Sequence, residues 1–165
     1  MEAVETKEQA TGQSKGTVKI TICKSLSGIA EGAELVHQEF EKQIKELEAN
    51  AELGAGGCSM GQVGCRGYCS KDVLVDVYVP GQDPVTYEKV KPEMVVKILK
   101  DHVIGGKIFK KAAAKDDYYE NLKKQKRVAL EFGGRIDPES IDEYLEVGGY
   151  EGLKKALQMK PSDII

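Results

Sequence analysis

From Val73 to Val79 every second residue is valine, in the segment VLVDVYVP. Extended as a strand, that alternation puts all four valines on one face; wound as a helix, it would scatter them around the axis. The same period of two runs through TVKITIC, residues 17–23, where Val18, Ile20 and Ile22 alternate with Thr17, Lys19 and Thr21, and Cys23 closes the strand. DPVTYEKV reads as an antiparallel return across the GQDP turn.

Strands of this kind need helices to cover them. Ile29, Ala33, Val36, Phe40, Ile44 and Leu47 recur at spacings of three and four, which predicts one long helix after KSLSG. AELGAGG predicts a short strand or turn, leading into a cysteine loop rich in glycine. Pro92 suits the first turn of a further helix with an apolar stripe of Val95, Val96, Leu99 and Val103, and Gly105 and Gly106 end it. The order strand, helix, strand, strand, strand, helix predicts one α/β layer.

At 165 residues, 41% apolar and 31% charged, the chain has room for one globular domain and an appendage. No apolar run approaches the roughly 20 residues of a membrane-spanning helix. The polar, acidic start MEAVETKEQATGQSKG lacks a signal-peptide pattern, so a cytoplasmic location is expected, with residues 1–15 a disordered lead-in. Lys107, Lys110, Lys111, Lys115, Lys123, Lys124, Lys126 and Arg127 make a basic connector. It has no aromatic ladder or recognition helix, so a solvated linker or docking arm is expected and nucleic-acid binding is not. Beyond it, Asp137–Pro138–Glu139 opens a short helix with Ile141, Tyr144 and Leu145 on its apolar face. Gly148 and Gly149 stop that helix, 150–158 forms another, and MKPSDII begins a third. Such short helices cannot bury a core of their own, so residues 107–165 are expected to dock elsewhere.

GGCSMGQVGCRGYCSK, residues 56–71, gathers Cys58, Cys65 and Cys69, and the chain's other cysteine is Cys23. In a reducing compartment such clustering points to metal or redox chemistry. Thiolates suit zinc or an iron-sulfur cluster. Ribbon-type zinc sites use two tight cysteine pairs and this chain offers one, whereas a 2Fe-2S cluster takes two ligands per iron and favours glycine-rich loops whose N–H groups approach sulfur. Arg66, inside the pair, reads either as a charge favouring a reduced cluster or as solvent-facing. His37 and His102 read as a surface and a packing residue, and Glu139, Asp142, Glu143 and Glu146 as a solvated face. No Ser-His-Asp set, Walker motif or complete dinucleotide fingerprint is present, and no catalytic residue is assigned.

VGCRGYCSKDVLVDVYVP and VTYEKVKPEMVVKILKDHVIGGK resemble the thioredoxin-like 2Fe-2S ferredoxin domain of the small NADH-side subunit of respiratory complex I. They also resemble the N-terminal extension of the NADH- and flavin-binding subunit of NAD-linked hydrogenases and bifurcating oxidoreductases. GIAEGA extends the likeness, and KQKRVALEFGGRIDPESIDEYLEVGGYEGLKKAL resembles the segment that opens that flavin-binding subunit. The resemblance implies a thioredoxin-like α/β fold, a four-stranded sheet with helices, followed by a mostly helical C-terminal arm. The expected parts are the ferredoxin domain at 16–106, the basic linker at 107–126, and the start of the flavin-binding subunit at 127–165. It also implies a 2Fe-2S cluster held by four loop cysteines, and electron exchange with FMN that has taken hydride from NADH. Flavin- and iron-sulfur-containing subunits are the expected partners, and homo-oligomerisation stays open. The family's FMN and NAD segments would follow Ile165, so the chain reads as an N-terminal piece, or truncated relative, of a larger subunit.

In the family pattern two cysteines lie four residues apart in the first loop, and two more form G-C-x-G-x-C. Cys23 matches the first, and Cys65 and Cys69 match the last pair. The second falls at Ser27 or Gly28, neither of them a thiol. SMGQVGC reads as a seven-residue insertion carrying Cys58 into the loop, and Cys23, Cys58, Cys65 and Cys69 are the expected ligands, with Ser27 the competitor of Cys58. The other reading is a cluster-degenerate or zinc-binding docking module.

Overall fold

The strand TVKITIC forms as its alternation predicts, as β1 (Val18–Cys23), and lies inside the sheet. The computed structural model describes residues 16–53 and 57–165, so the expected lead-in at 1–15 and part of AELGAGG fall outside the described residues. On one side β1 pairs in parallel with β2 (Cys58–Val63), Val18 opposite Cys58 and Cys23 opposite Val63. On the other it pairs antiparallel with β3 (Val75–Tyr78), which pairs antiparallel with β4 (Val85–Tyr87), giving the order β2-β1-β3-β4. This corrects one expectation. The second strand is CSMGQV, the stretch read as a loop insertion, and its glycine and polar residues conceal a strand that lies at the sheet's edge.

Parallel pairing of β1 and β2 requires a crossover, and helices supply it. The expected single helix is two, α1 (Leu26–Ala30) and α2 (Ala33–Ala49), divided at Gly32, whose φ of 94° suits glycine. The turn takes Ile29 off the apolar stripe and leaves it exposed, while Val36, Phe40, Ile44 and Leu47 are buried. The third helix, α3 (Pro92–Lys97), starts at Pro92 and continues as a π-helical stretch to Ile104 before Gly105 and Gly106. Its buried residues are Val95, Ile98, Leu99 and His102, while Val96 and Val103 are only half-buried. The wider π winding turns the packing face away from the stripe that an ideal helix predicts.

Ile20, Ile22, Val75, Val77 and Tyr87 meet α2 and α3 on one face of the sheet. The opposite face carries Thr21, Asp76 and Thr86, an alternation that looks solvent-facing, yet all three are buried. The cysteine loop and the segment expected as a linker cover them. Glu88 N–H donates to the Ala112 carbonyl at 2.8 Å, and Ala114 N–H to that of Thr86 at 2.8 Å, so the chain runs along the β4 edge. A further helix, α4 (Asp116–Lys123), follows, with Tyr118 buried against the face and the Tyr119 hydroxyl accepting from Thr86 N–H at 3.0 Å. Beneath them Arg66 Nη1 donates to Asp76 Oδ1 at 2.9 Å and to the Tyr118 hydroxyl at 3.3 Å, and Thr86 Oγ1 donates to the same Asp76 oxygen at 2.6 Å.

The rest of the arm holds α5 (Ile141–Glu146), α6 (Glu151–Ala156) and α7 (Pro161–Ile164). Ser140 caps α5, accepting from Glu143 N–H at 3.2 Å, three residues beyond the expected start. Two of the carboxylates expected on a solvated face tether the arm instead: Glu143 meets Lys19 at 3.3 Å and Glu139 meets Gln62 at 2.6 Å. Asp142 and Glu146 are exposed. No helix among the described residues is long and apolar enough to cross a membrane.

Two tests follow from this packing. Asp76→Asn leaves the Arg66 charge buried without its partner, so urea unfolding is expected to register a loss of about 3–5 kcal/mol. The double variant Arg66→Met with Asp76→Leu loses less than Asp76→Asn, and equal losses would deny the pair this role. His102 is fully buried, with Nδ1 2.9 Å from the Tyr87 hydroxyl. That hydroxyl also accepts from Phe109 N–H at 3.3 Å, and the other ring nitrogen, Nε2, meets no hydrogen-bond partner among the described residues. Burial holds the His102 pKa below its ordinary value. Above about pH 6.5 the ring is neutral in both folded and unfolded chains; below it the unfolded chain takes up a proton that the folded one refuses, so stability falls as pH drops. His102→Asn is expected to remove up to about 1.4 kcal/mol per pH unit of that slope between pH 6.5 and 5.

Candidate metal centre

The C-terminal end of β1 gathers the chemistry. Cys23 is 1% exposed, packed with Val63, Leu74 and Tyr68, and its thiol points to the Gly64 carbonyl at 3.7 Å. Burial raises its pKa. The next loop is fixed by Ser25, the N-cap of α1, whose Oγ accepts from Gly28 N–H at 3.0 Å and donates to Asp72 Oδ2 at 3.2 Å. This turn brings the Ser27 hydroxyl to the Cys69 carbonyl, to which it donates at 3.2 Å, so the first loop is bonded to the second. Gly28 is buried, and a Cβ there would collide with the Cys23 carbonyl oxygen. Of the two registers for the missing ligand, only position 27 has room for a side chain.

The second loop leaves β2 at Val63 and runs through Cys65 to a single 3-10 turn at Cys69–Lys71. Cys65 and Cys69 hold their Sγ atoms 3.7 Å apart, one half-buried and the other exposed. Two thiolates on one tetrahedral metal with bonds of about 2.3 Å stand roughly 3.8 Å apart, so this pair has the spacing that one ion requires. Gly67, at φ 79°, turns its N–H to Cys65 Sγ at 3.3 Å, an amide-to-sulfur hydrogen bond. The hydrogen bond with Cys65, and the charge there, raise the Cys69 pKa.

Cys58 does not join this group. In the parallel register it lies opposite Val18 and not Cys23, five residues from Val63 along β2, a separation of about 16 Å. It packs against the main core, and burial pushes its thiol up to about 12. The expectation that Cys58 converges with the other three cysteines is therefore corrected: strand direction sends it to the far end of the sheet. Among the described residues no three His, Cys, Asp or Glu side chains surround a single point. The arrangement is a pair, with Cys23 and Ser27 on the neighbouring loop.

Arg66 is buried under the arm and does not face solvent. Burial works against its charge, and the Asp76 carboxylate more than offsets this, so Arg66 is held up and stays charged. Asp72 and Ser25, which the sequence reading missed, brace the first loop against the start of β3; serine three residues before a buried glycine at a helix start was the available signal.

No family model matches the chain. A segment of 43 residues, 26% of the chain, is 54% identical to the NADP-reducing hydrogenase subunit HndC of Solidesulfovibrio fructosivorans, and spans 9% of that protein. Among solved structures, a thioredoxin-like [2Fe-2S] ferredoxin from Aquifex aeolicus superposes with a TM-score of 0.52 at 23% identity, covering 61% of this chain and 92% of that one. The wild-type ferredoxin at 1.5 Å gives the same score and identity over 99% of its length, and a cysteine-to-serine variant gives 0.51 at 22% identity over 60% of this chain. With its β2-β1-β3-β4 mixed sheet and the helices packed on it, the chain has the fold of the thioredoxin-like 2Fe-2S ferredoxins, continued by a helical arm.

Proposed function

We propose that the chain is an iron-sulfur electron-transfer module in which Cys65 and Cys69 hold one iron of a 2Fe-2S cluster, and Cys23 with the Ser27 hydroxyl oxygen the other. The observation that carries this reading is the 3.7 Å separation of Cys65 and Cys69 at the loop end of a ferredoxin-type sheet. When bound, such a cluster supplies a one-electron couple. The residues around it have separate tasks. Val63, Leu74 and Tyr68 exclude water from Cys23, and the Gly67 N–H donates to the Cys65 sulfur. The Ser27 O–H donates to the Cys69 carbonyl, which keeps its oxygen beside the second loop; as a ligand it would give up that proton, and the bond with it. Cys58 has no place in this set.

The segment shared with the hydrogenase subunit supports a role as one component of a larger oxidoreductase. In that assembly FMN and NAD would be bound by other parts, and electrons would pass singly between the flavin and this module. The absent fourth thiol supports a second reading, a docking module that holds zinc or no metal.

Iron analysis separates the two. Anaerobically prepared protein is expected to be brown, with about two irons and two acid-labile sulfides per chain. Cys65→Ala and Cys69→Ala lose most of the cluster and Cys58→Ala keeps all of it. Ser27→Cys retains the cluster with an altered EPR spectrum, whereas Gly28→Cys forms little, because its Cβ has no space. Colourless protein carrying one zinc would leave the docking reading in its place.

A further inference from the structure

The two side chains between the paired cysteines that face inward, Arg66 and Tyr68, both end on the arm. Arg66 bonds Tyr118 at 3.3 Å, and Tyr68 meets the Tyr118 ring edge-on with centroids 5.0 Å apart. The loop's backbone is held as well, since Arg127 Nη2 donates to the Arg66 carbonyl at 3.2 Å. The Gly133–Gly134 turn then lies directly on the loop. A Cβ on Gly133 would stand 2.9 Å from the Cys65 carbonyl oxygen, and one on Gly134, at φ 81°, would stand 2.8 Å from Cγ and Cδ of Arg66. Arg66 cannot swing aside to admit it, because Asp76 holds the guanidinium under the sheet's polar face.

From these contacts we infer that the arm is part of the metal centre: Tyr118, Arg127 and the Gly133–Gly134 turn are positioning residues that hold the loop bearing Cys65 and Cys69. The inference rests on the reading of those cysteines as ligands, and it places the end of the working domain beyond 106, at least to Gly134. Gly133 lies against the loop's backbone and Gly134 against the Arg66 side chain, so neither position has room for a Cβ. The loop itself, with Gly64 and Gly67 flanking Arg66, has little stiffness of its own.

The test uses the full chain and a readout that needs no metal, the rate at which iodoacetamide alkylates Cys65, followed by mass spectrometry on the reduced, metal-free protein. Gly134→Val and Arg127→Ala are expected to speed alkylation at Cys65 about fivefold, the factor for losing roughly one hydrogen bond's closing free energy. Gly148→Val is the control. It imposes the same strain, at φ 86°, with no neighbour nearer than Glu151 Cγ at 4.0 Å, and is expected to leave the rate unchanged. In iron-loaded protein, Gly134→Val gives up iron to a chelator about tenfold faster than wild type, as loss of a supporting shell does. Wild-type rates in both arm variants, or equal acceleration in Gly148→Val, would overturn the inference. A chain that binds no iron yet shows the expected alkylation pattern keeps the strap and removes the metal reading. Iron binding with alkylation indifferent to the arm removes the strap alone.

Discussion

The buried ion pair of Arg66 and Asp76 is the interaction on which the second half of this fold depends. A carboxylate in the middle of β3 would ordinarily mark a solvent face, since burying it unpaired costs several kcal/mol. Here the guanidinium arrives from the cysteine loop, and the Thr86 and Tyr78 hydroxyls also donate to the carboxylate, so its charge is compensated from three directions, while the Tyr118 hydroxyl of α4 accepts from the guanidinium. One pair thus binds sheet, loop and arm into one layer. Its geometry also explains why that layer is specific: an apolar contact could slide, whereas a forked guanidinium on a carboxylate has one good alignment.

The other constraint is the direction of β2. Because β1 and β2 are parallel, their C-terminal ends lie side by side, and the loops leaving Cys23 and Val63 emerge at the same edge. The start of β3 returns to that edge, bringing Asp72 under Ser25. Three chain segments distant in sequence therefore meet without any of them being long. Where the first two loops meet, glycine is required at Gly28, where α1 touches the Cys23 carbonyl, and at Gly67, where the backbone turns an amide toward sulfur.

Much of this was legible. Val73, Val75 and Val77 announce a strand and its inner face, Pro92 and Gly105 bracket a helix, and the pair Cys65 and Cys69 reads as a unit. The misreadings share a physical cause, that local pattern does not report what lies across a sheet. Thr21, Asp76 and Thr86 have the alternation of a wet face, and the cysteine loop, through Arg66, and the arm, through Tyr118, make it dry. CSMGQV lacks alternating valines because an edge strand needs fewer apolar residues than a central one, so it passed for a loop. Sequence proximity then made Cys58 a neighbour of Cys65, although an extended strand separates them. The break at Gly32 was hidden because Ile29 happens to fall in phase with a helix that has not yet begun.

The position of Cys58 has a consequence for the chemistry of the chain as a whole. Burial and the nearby Glu48 charge hold its thiol up to about 12, and packed against the main core it serves as a small apolar filler. Cys65 and Cys69 face each other at one end of the sheet, and Cys58, at the far end of β2, is out of their reach. Four cysteines in composition amount, in placement, to a loop pair, half-buried Cys65 and exposed Cys69, a buried Cys23 nearby and a distant, half-buried Cys58.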